Sequence, residues 1–217
     1  NAHNIEQIEA DCKGKKTIRF VTMGDSQRWY DETEDFVKAI NKRNDIDFVI
    51  HGGDMSDFGV TKEFLWQRDI MNGLSVPYVT LIGNHDCLGT GAETYKAVFG
   101  PTNFSFIAGN VKFVCLNTNA LEYELTNRTD EFNKTVISMH ARPYTDVFND
   151  NVVKMFQHYV KQYPGIQFCT AAHTHHYRDD VIFDDGIHYV TSDSMDKRTY
   201  LVFTITPEKY EYELVKY

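Results

Sequence analysis

The chain has 217 residues, of which 42% are apolar, and a formal net charge of −9 at pH 7. A chain of this length and apolar content can bury a substantial core, and the length favours a single domain. The net negative charge repels a polyanion at long range, so nucleic acid is not expected as a partner. No run in the sequence approaches the roughly 18 consecutive apolar residues of a membrane-spanning helix.

The N-terminal segment and the cysteines leave the cellular compartment open. Residues 1–16 form a polar extension ahead of the first apolar run, and residues 17–217 are expected to form one domain. This pattern fits an exported protein, periplasmic or secreted, whose leader has been removed, and it fits a tagged cytoplasmic protein equally. Asn1 and Ala2 are therefore left out of the fold prediction. The four cysteines include no Cys-x-x-Cys pair and are too few for a disulfide framework.

Short runs rich in β-branched and aromatic residues recur along the chain and predict buried strands. In chain order these strands are Thr17–Met23, Asp47–Ile50, Tyr78–Ile82, Val111–Leu116, Thr135–Met139 and Ile166–Thr170. Between several of them, helical spacing predicts helices at Thr33–Asn41, Lys62–Met71 and Val152–Tyr163. This alternation predicts a largely parallel sheet. The last quarter predicts an antiparallel meander that extends a second sheet, with strands at Asp180–Phe183, Ile187–Thr191, Thr199–Ile205 and Tyr210–Val215.

Polar residues follow five of these strands at the end where the loops of an open α/β sheet converge. The five endings are Gly24-Asp25-Ser26-Gln27, Gly53-Asp54-Met55-Ser56-Asp57, Gly83-Asn84-His85-Asp86, His140, and His173-Thr174-His175-His176. Each ending alone has an ordinary explanation, because aspartate and asparagine form turns and caps, and a lone histidine is more often a satisfied polar group. Five such endings on one sheet edge favour a metal site instead.

In this order, the motifs resemble those of the calcineurin-like metallophosphoesterase superfamily, over roughly residues 17–175. Residues 95–106 further resemble the branch that contains cyclic nucleotide phosphodiesterases and purple acid phosphatases. The resemblance implies an α/β fold, a four-layer αββα sandwich of two mixed β-sheets flanked by helices. It also implies a metal-dependent hydrolase of phosphate esters, either a phosphodiesterase or a phosphomonoesterase.

The resemblance implies two divalent or trivalent metal ions and assigns their ligands. The first ion is expected on Asp25, Asp54 and His175, with Gln27 as a further candidate. The second ion is expected on Asn84, His140 and His173, with Asp54 bridging the two. A hydroxide between the ions would be the nucleophile. His85 would be the general acid, oriented by Asp57.

Several details of this set stay open. Oxygen and imidazole donors without thiolate suit manganese, iron, cobalt, nickel or zinc. The family's first motif usually carries histidine where this chain has Gln27, whose amide oxygen is a weaker donor, so the first site is expected to be looser. His176 competes with His175, but residues two apart in an extended segment face the same way, which favours His173 with His175. Arg28 and Arg142 are either substrate contacts or solvated arginines.

The sequence also departs from the resemblance. Only the largely polar segment from Ala120 to Asn133, with little helical periodicity, is available where the family places a covering helix, so either this helix is absent or residues are missing around Glu124 and Leu125. Phe58-Gly59 replaces the Arg-Gly of protein phosphatases, and Asp57 stands where purple acid phosphatases have a tyrosine ligand. The expected substrate is therefore a small phosphate ester. A metal-dependent nuclease and a catalytically weakened binding scaffold are the alternatives.

Overall fold

The computed structural model describes residues 1–117 and 127–217. Five strands form the first sheet: β1 (Ile18–Met23), β2 (Phe48–His51), β3 (Tyr78–Thr80), β10 (Thr199–Ile205) and β11 (Tyr210–Lys216). They lie in the order β11-β10-β1-β2-β3. Strands β1, β2 and β3 are parallel, and β10 runs antiparallel to both β1 and β11.

The second sheet contains six strands: β4 (Phe104–Ala108), β5 (Val111–Leu116), β6 (Lys134–Met139), β7 (Ile166–Ala171), β8 (Arg178–Val181) and β9 (His188–Thr191). Their order is β4-β5-β6-β7-β9-β8. The central strands β5, β6, β7 and β9 are parallel, and the two edge strands β4 and β8 are antiparallel to their neighbours. Both sheets are therefore mixed, as the sequence predicts.

The helices of the described residues cover the sheets with amphipathic faces. They are α1 (Ala2–Asp11), α2 (Tyr30–Ile40), α3 (Thr61–Met71), α4 (Gly91–Phe99) and α5 (Val153–Val160). Helix α2 buries Phe36 and Ile40 in a cluster with Val21 of the first sheet. Helix α5 buries Phe156 in a separate cluster with Ile137 of the second sheet. The two clusters lie on opposite outer faces, which confirms the αββα sandwich.

An aromatic cluster joins the inner faces of the two sheets. Phe20 and Phe48 of the first sheet stack with ring centroids 5.4 Å apart. Phe113 of the second sheet meets both rings edge to face, at 5.0 and 5.2 Å, and stacks on Phe106 at 5.0 Å. Each pair lies in the range where aromatic rings attract beyond their area burial. This contact holds the sheets together below the edge where the polar loops gather.

The segment that we predict as a polar extension contains helix α1. Ile8 and Cys12 are fully buried in the cluster between the sheets. Asn1 also pairs with the main chain of β3, because its side chain both donates to and accepts from Thr80, at 3.1 and 3.0 Å. Residues 1–16 thus take part in the packing, although the domain boundary itself stays a prediction.

Other differences from the sequence prediction concern pairing and unrecognised elements. The last four strands do not form one meander: β8 and β9 extend the second sheet, whereas β10 and β11 extend the first. Helix α4 and strand β4 were not predicted. The expected discontinuity around Glu124 and Leu125 lies outside the described residues. Within the described ranges, no helix has the length and apolar character needed to cross a membrane.

The aromatic cluster makes a specific stability prediction. Phe113→Ala removes a fully buried ring that contacts three others, so we expect the free energy of unfolding to fall by about 3–5 kcal/mol. Urea denaturation followed by circular dichroism measures this change. Phe58→Ala is the matched control, because Phe58 is 64% exposed and its loss should cost under about 0.5 kcal/mol. Equal losses in the two variants would show that the cluster does not hold the sheets together.

Candidate metal centre

Four of the predicted ligands sit in left-handed backbone conformations. Asp25, Asp54, His173 and His175 have φ values of 52°, 56°, 70° and 59°. Such values are uncommon outside glycine and tend to cluster at functional sites. Hydrogen bonds between the loops hold them: Asp25 N donates to Gly53 O at 3.0 Å, and His173 N donates to Oδ2 of Asp25 at 3.0 Å. The loops after β1, β2 and β7 therefore fix one another.

Two glycines let these loops approach closely. A Cβ on Gly83 would lie 2.1 Å from Oδ1 of Asp54, and a Cβ on Gly53 would lie 2.8 Å from Nδ1 of His140. Gly53 also has a φ of 102°, which side chains rarely permit. Any larger residue at either position would displace Asp54 or His140.

Residues from both sheets meet at the sites predicted for the second ion. Asp54, His140 and His173 each offer a ligand atom within 4.8 Å of the other two. Nε2 of His140 lies 3.4 Å from Oδ2 of Asp54 and 3.0 Å from Oδ1 of Asn84. Nδ1 of His140 donates to Gly52 O at 2.9 Å, so Nε2, which faces Asn84 and Asp54, is the nitrogen that could bind an ion. The structure thus brings together the four residues expected on this ion.

The residues expected on the first ion also converge, and two of their oxygens lack partners. Nε2 of His175 lies 3.5 Å from Oδ1 of Asp25. Oδ1 of Asp25 and Oε1 of Gln27 are buried without a hydrogen-bond partner among the described residues. Buried acceptors without donors are costly, and a bound cation is one way to satisfy such an oxygen. This donor set of carboxylate, amide and imidazole fits a divalent transition metal.

The charges of the centre favour a bound cation. Burial opposes ionisation of Asp54, yet His140 and the His85 amide hold the pKa of Asp54 below its usual value. Burial also disfavours the imidazolium of His140, but Asp54 and Asp25 outweigh it and raise the pKa of His140 to about 9. The nearby carboxylate of Asp25 raises the pKa of His175 in the same way. The carboxylates thus attract positive charge to this point.

A carboxylate that sequence reasoning gave no role connects two of the loops. Asp86 is fully buried, and its Oδ1 accepts hydrogen bonds from Met55 N and Ser56 N at 2.9 and 2.8 Å. Its Oδ2 accepts from Asp54 N and Gly83 N, both at 2.9 Å. The sequence signal for Asp86 is its position as the last residue of the Gly-Asn-His-Asp motif. Asp86 fixes the main chain of Asp54 relative to the loop that carries Asn84.

His51 provides a second buried connection, between the loops after β1 and β2. Gly53 N donates to its Nδ1 at 3.1 Å, so Nε2 carries the proton and donates to Ser26 Oγ at 2.7 Å. Burial lowers the pKa of His51 to about 3, which keeps the ring neutral. His51 supports the segment between Asp25 and Gln27 through its bond to Ser26.

His85, the predicted general acid, lies beside the metal centre. Its Nδ1 is 2.9 Å from the main-chain oxygen of Asp57 and 3.7 Å from its carboxylate. The carboxylate of Asp57 pairs with the exposed guanidinium of Arg28. The main chain of Asp57 is therefore the direct contact to His85.

Two residues left open by the sequence have contacts with residues outside the proposed ligand set. Arg142 is buried and lies 2.9 Å from Asp180, so it serves as an ion pair within the fold. Nδ1 of His176 lies 3.0 Å from Thr174 O. His175, by contrast, faces Asp25. This arrangement favours His175 over His176.

The sequence profile of the family described as calcineurin-like phosphoesterase matches residues 18–177. The chain belongs to this family. A comparison with curated proteins found no match.

Solved structures share the fold at low sequence identity. A purple acid phosphatase from yellow lupin seeds has a TM-score of 0.70 and 13% identity, covering 94% of this chain and 52% of that one. The Plasmodium protein GAP50, described as the anchor in the inner membrane complex, has a TM-score of 0.67 and 13% identity, covering 93% and 85%. The calcineurin-like phosphoesterase YfkN from Bacillus subtilis has a TM-score of 0.54 and 13% identity, covering 92% and 90%. At such identities the likeness concerns the fold alone.

The role of Asp86 can be tested by Asp86→Asn. The amide turns a donor group toward main-chain N–H groups that now bond to a carboxylate, so we expect the free energy of unfolding to fall by about 1–3 kcal/mol. Thermal or urea unfolding gives the change, and titration with manganese should show weaker binding. Asp69→Asn, on an exposed position of α3, is the control. Unchanged stability and metal binding in Asp86→Asn would show that the loops hold their positions without this carboxylate.

Proposed function

We propose that this protein hydrolyses small phosphate esters with two metal ions. Family membership supports phosphoester hydrolysis. The observation that carries the proposal is the cluster of Asp54, His140 and His173, together with the buried, unpartnered oxygens on Asp25 and Gln27 in the loop after β1. Such a set suits two neighbouring cations better than a single structural ion, which proteins usually enclose with four ligands.

The residues have distinct proposed roles. When bound, two ions about 3.5–4 Å apart polarise phosphoryl oxygens and lower the pKa of a water molecule. Asp54 is the proposed bridge, because its Oδ2 lies 3.4 Å from Nε2 of His140 and its charge also acts on His175 of the first group. The proposed ligands of the first ion are Asp25, Asp54, His175 and Gln27, and those of the second are Asp54, Asn84, His140 and His173.

His85 is the proposed general acid, and its contacts suit this role. Because Nδ1 is held by the main-chain oxygen of Asp57 at 2.9 Å, the opposite nitrogen, Nε2, is available to a substrate. In the imidazolium form, Nε2–H can protonate a leaving oxygen. The side chain of His85 is 36% exposed, so substrate can reach it.

A cavity beside the second group of ligands supports a small substrate. It has a volume of about 250 Å³ and includes Asn84 and His140 in its lining. Leu116, Met139 and Val147 contribute apolar atoms to its wall. A space of this size accommodates an ester substituent rather than a polymer, and the net charge of −9 further disfavours a nuclease.

A binding scaffold is the second candidate. It is favoured by Gln27, which replaces a stronger histidine donor, and by the similarity in fold to a Plasmodium protein described as an anchor. Measured hydrolysis of a phosphate ester distinguishes the enzyme from the binding scaffold.

The proposed function predicts metal-dependent turnover. Chelator-stripped protein should release p-nitrophenolate from bis-p-nitrophenyl phosphate or p-nitrophenyl phosphate when manganese is added, and not before. Asp54→Asn should lower this rate about a hundredfold or more, because the bridging oxygen loses its charge. Asp31→Asn, on the exposed side of α2, should keep the wild-type rate. Metal binding without turnover on either ester, with manganese, zinc, iron, cobalt or nickel, would contradict hydrolysis and favour the scaffold.

The acid role of His85 makes a separate prediction. His85→Ala should keep both metal ions, measured by elemental analysis, while kcat falls by about 10²–10⁴. The loss should be larger for an alkyl leaving group than for p-nitrophenolate, because a poorer leaving group depends more on protonation. Metal loss in this variant would identify His85 as a ligand, and equal losses for the two leaving groups would remove its role as an acid.

A further inference from the structure

A carboxylate outside the predicted set contacts one of the proposed ligands. Asp146 lies in the segment between β6 and α5, and its Oδ1 is 2.7 Å from Nε2 of His173. This is the distance of a charge-assisted hydrogen bond, with the ring donating and the carboxylate accepting. No motif of the sequence marks Asp146.

This contact decides which nitrogen of His173 can bind a metal. A neutral imidazole has one N–H, and a nitrogen that donates to a carboxylate has no lone pair left for an ion. With Nε2 bonded to Asp146, Nδ1 is the remaining ligand atom of His173. His140 has the opposite arrangement, since its Nδ1 donates to Gly52 O and its Nε2 faces Asn84 and Asp54. The two imidazoles would therefore bind through different nitrogens.

We propose that Asp146 is a positioning residue that fixes the tautomer and ring orientation of His173, so that Nδ1 faces Asp54 and His140. The main chain of His173 is already held, because its N–H donates to Asp25 at 3.0 Å. The imidazole ring of His173 could still rotate about its side-chain bonds, and the hydrogen bond to Asp146 restricts that rotation. The inference rests on the proposed function for the presence of the second ion.

The segment that carries Asp146 is anchored although the side chain itself is 83% exposed. Thr145 Oγ1 donates to Arg142 O at 2.8 Å, and Phe148 N donates to Thr145 O at 3.1 Å. The ring of Phe148 is buried against the second sheet. Asp146 therefore lies in a turn whose conformation these hydrogen bonds and the buried ring of Phe148 stabilise. Solvent weakens the hydrogen bond between Asp146 and His173. Loss of a residue that orients a metal ligand lowers metal affinity by about 10- to 100-fold, and we expect the effect of Asp146 to lie near the low end of this range.

Calorimetric titration of chelator-stripped protein with manganese tests the proposal. Asp146→Ala should weaken binding of the second ion about tenfold and leave the first ion unaffected. Asp146→Asn should lose less, because an amide oxygen still accepts from Nε2–H. Asp150→Ala removes an exposed carboxylate from the same segment and should match the wild type. Unchanged or tighter binding in Asp146→Ala would overturn the proposal, and tighter binding would identify Asp146 as a competitor of the metal.

Long-range ¹H–¹⁵N spectra of the zinc-loaded protein supply a readout that does not depend on turnover. His173 should show a protonated Nε2 and a metal-bound Nδ1, and Asp146→Ala should broaden or shift this pattern. A His173 that binds zinc through Nε2 would overturn the inference. Binding that depends on Asp146 without hydrolysis would refute the proposed function alone, whereas hydrolysis with binding independent of Asp146 would refute this inference alone.

Discussion

The centre depends on the hydrogen bonds that the buried carboxylate of Asp86 accepts from the main chain of two loops. Asp54 N and Gly83 N share one of its oxygens, and Met55 N and Ser56 N share the other. Without this acceptor, the four main-chain N–H groups would be buried without hydrogen-bond partners, which carries a high free-energy cost. The left-handed conformation of Asp54 persists because these contacts over-determine it. The position of the proposed bridging ligand is thus set by the main chain before its side chain meets any ion.

The two sheets contribute different chemistry to the centre. The first sheet provides the oxygen donors, on the loops after β1, β2 and β3, and the second provides the imidazoles, on the loops after β6 and β7. The aromatic cluster between the sheets brings these loops to one edge. An ion held by Asp54 and His140 would therefore join the two sheets, and its binding free energy would add to the stability of their packing.

The sequence predicts the strand ends well because each strand is a local apolar run followed by polar residues. The sequence predicts less well which strands pair with one another. The apolar pattern of β10 does not reveal that Phe203 pairs with Phe20 of the first sheet, because strands of either sheet need one buried face. Helix α1 was missed since its average polarity hides the burial of Ile8 and Cys12.

Among the site residues, sequence reasoning works where the motif is local and fails where the contact spans the chain. His175 was favoured over His176 by the geometry of an extended segment, yet His173 and His175 both have positive φ. The contacts support the choice of His175, but the two histidines lie in a turn and not in the extended segment from which the choice is argued. Asp146 lies 27 positions from His173, in a loop without periodicity, so no local pattern could connect the two.

Gln27 gives the centre an asymmetry that follows from burial and donor strength. In the proposed second group, the side chains of His140 and His173 are only 6% and 12% exposed. In the first group the His175 side chain is 44% exposed, and the amide oxygen of Gln27 carries no full charge. A neutral, weaker donor and an open imidazole would both favour weaker binding of the proposed first ion. Because Oε1 of Gln27 is buried and unpartnered among the described residues, an oxygen donor is retained at this position, and the proposed first ion would be held more weakly than by a histidine.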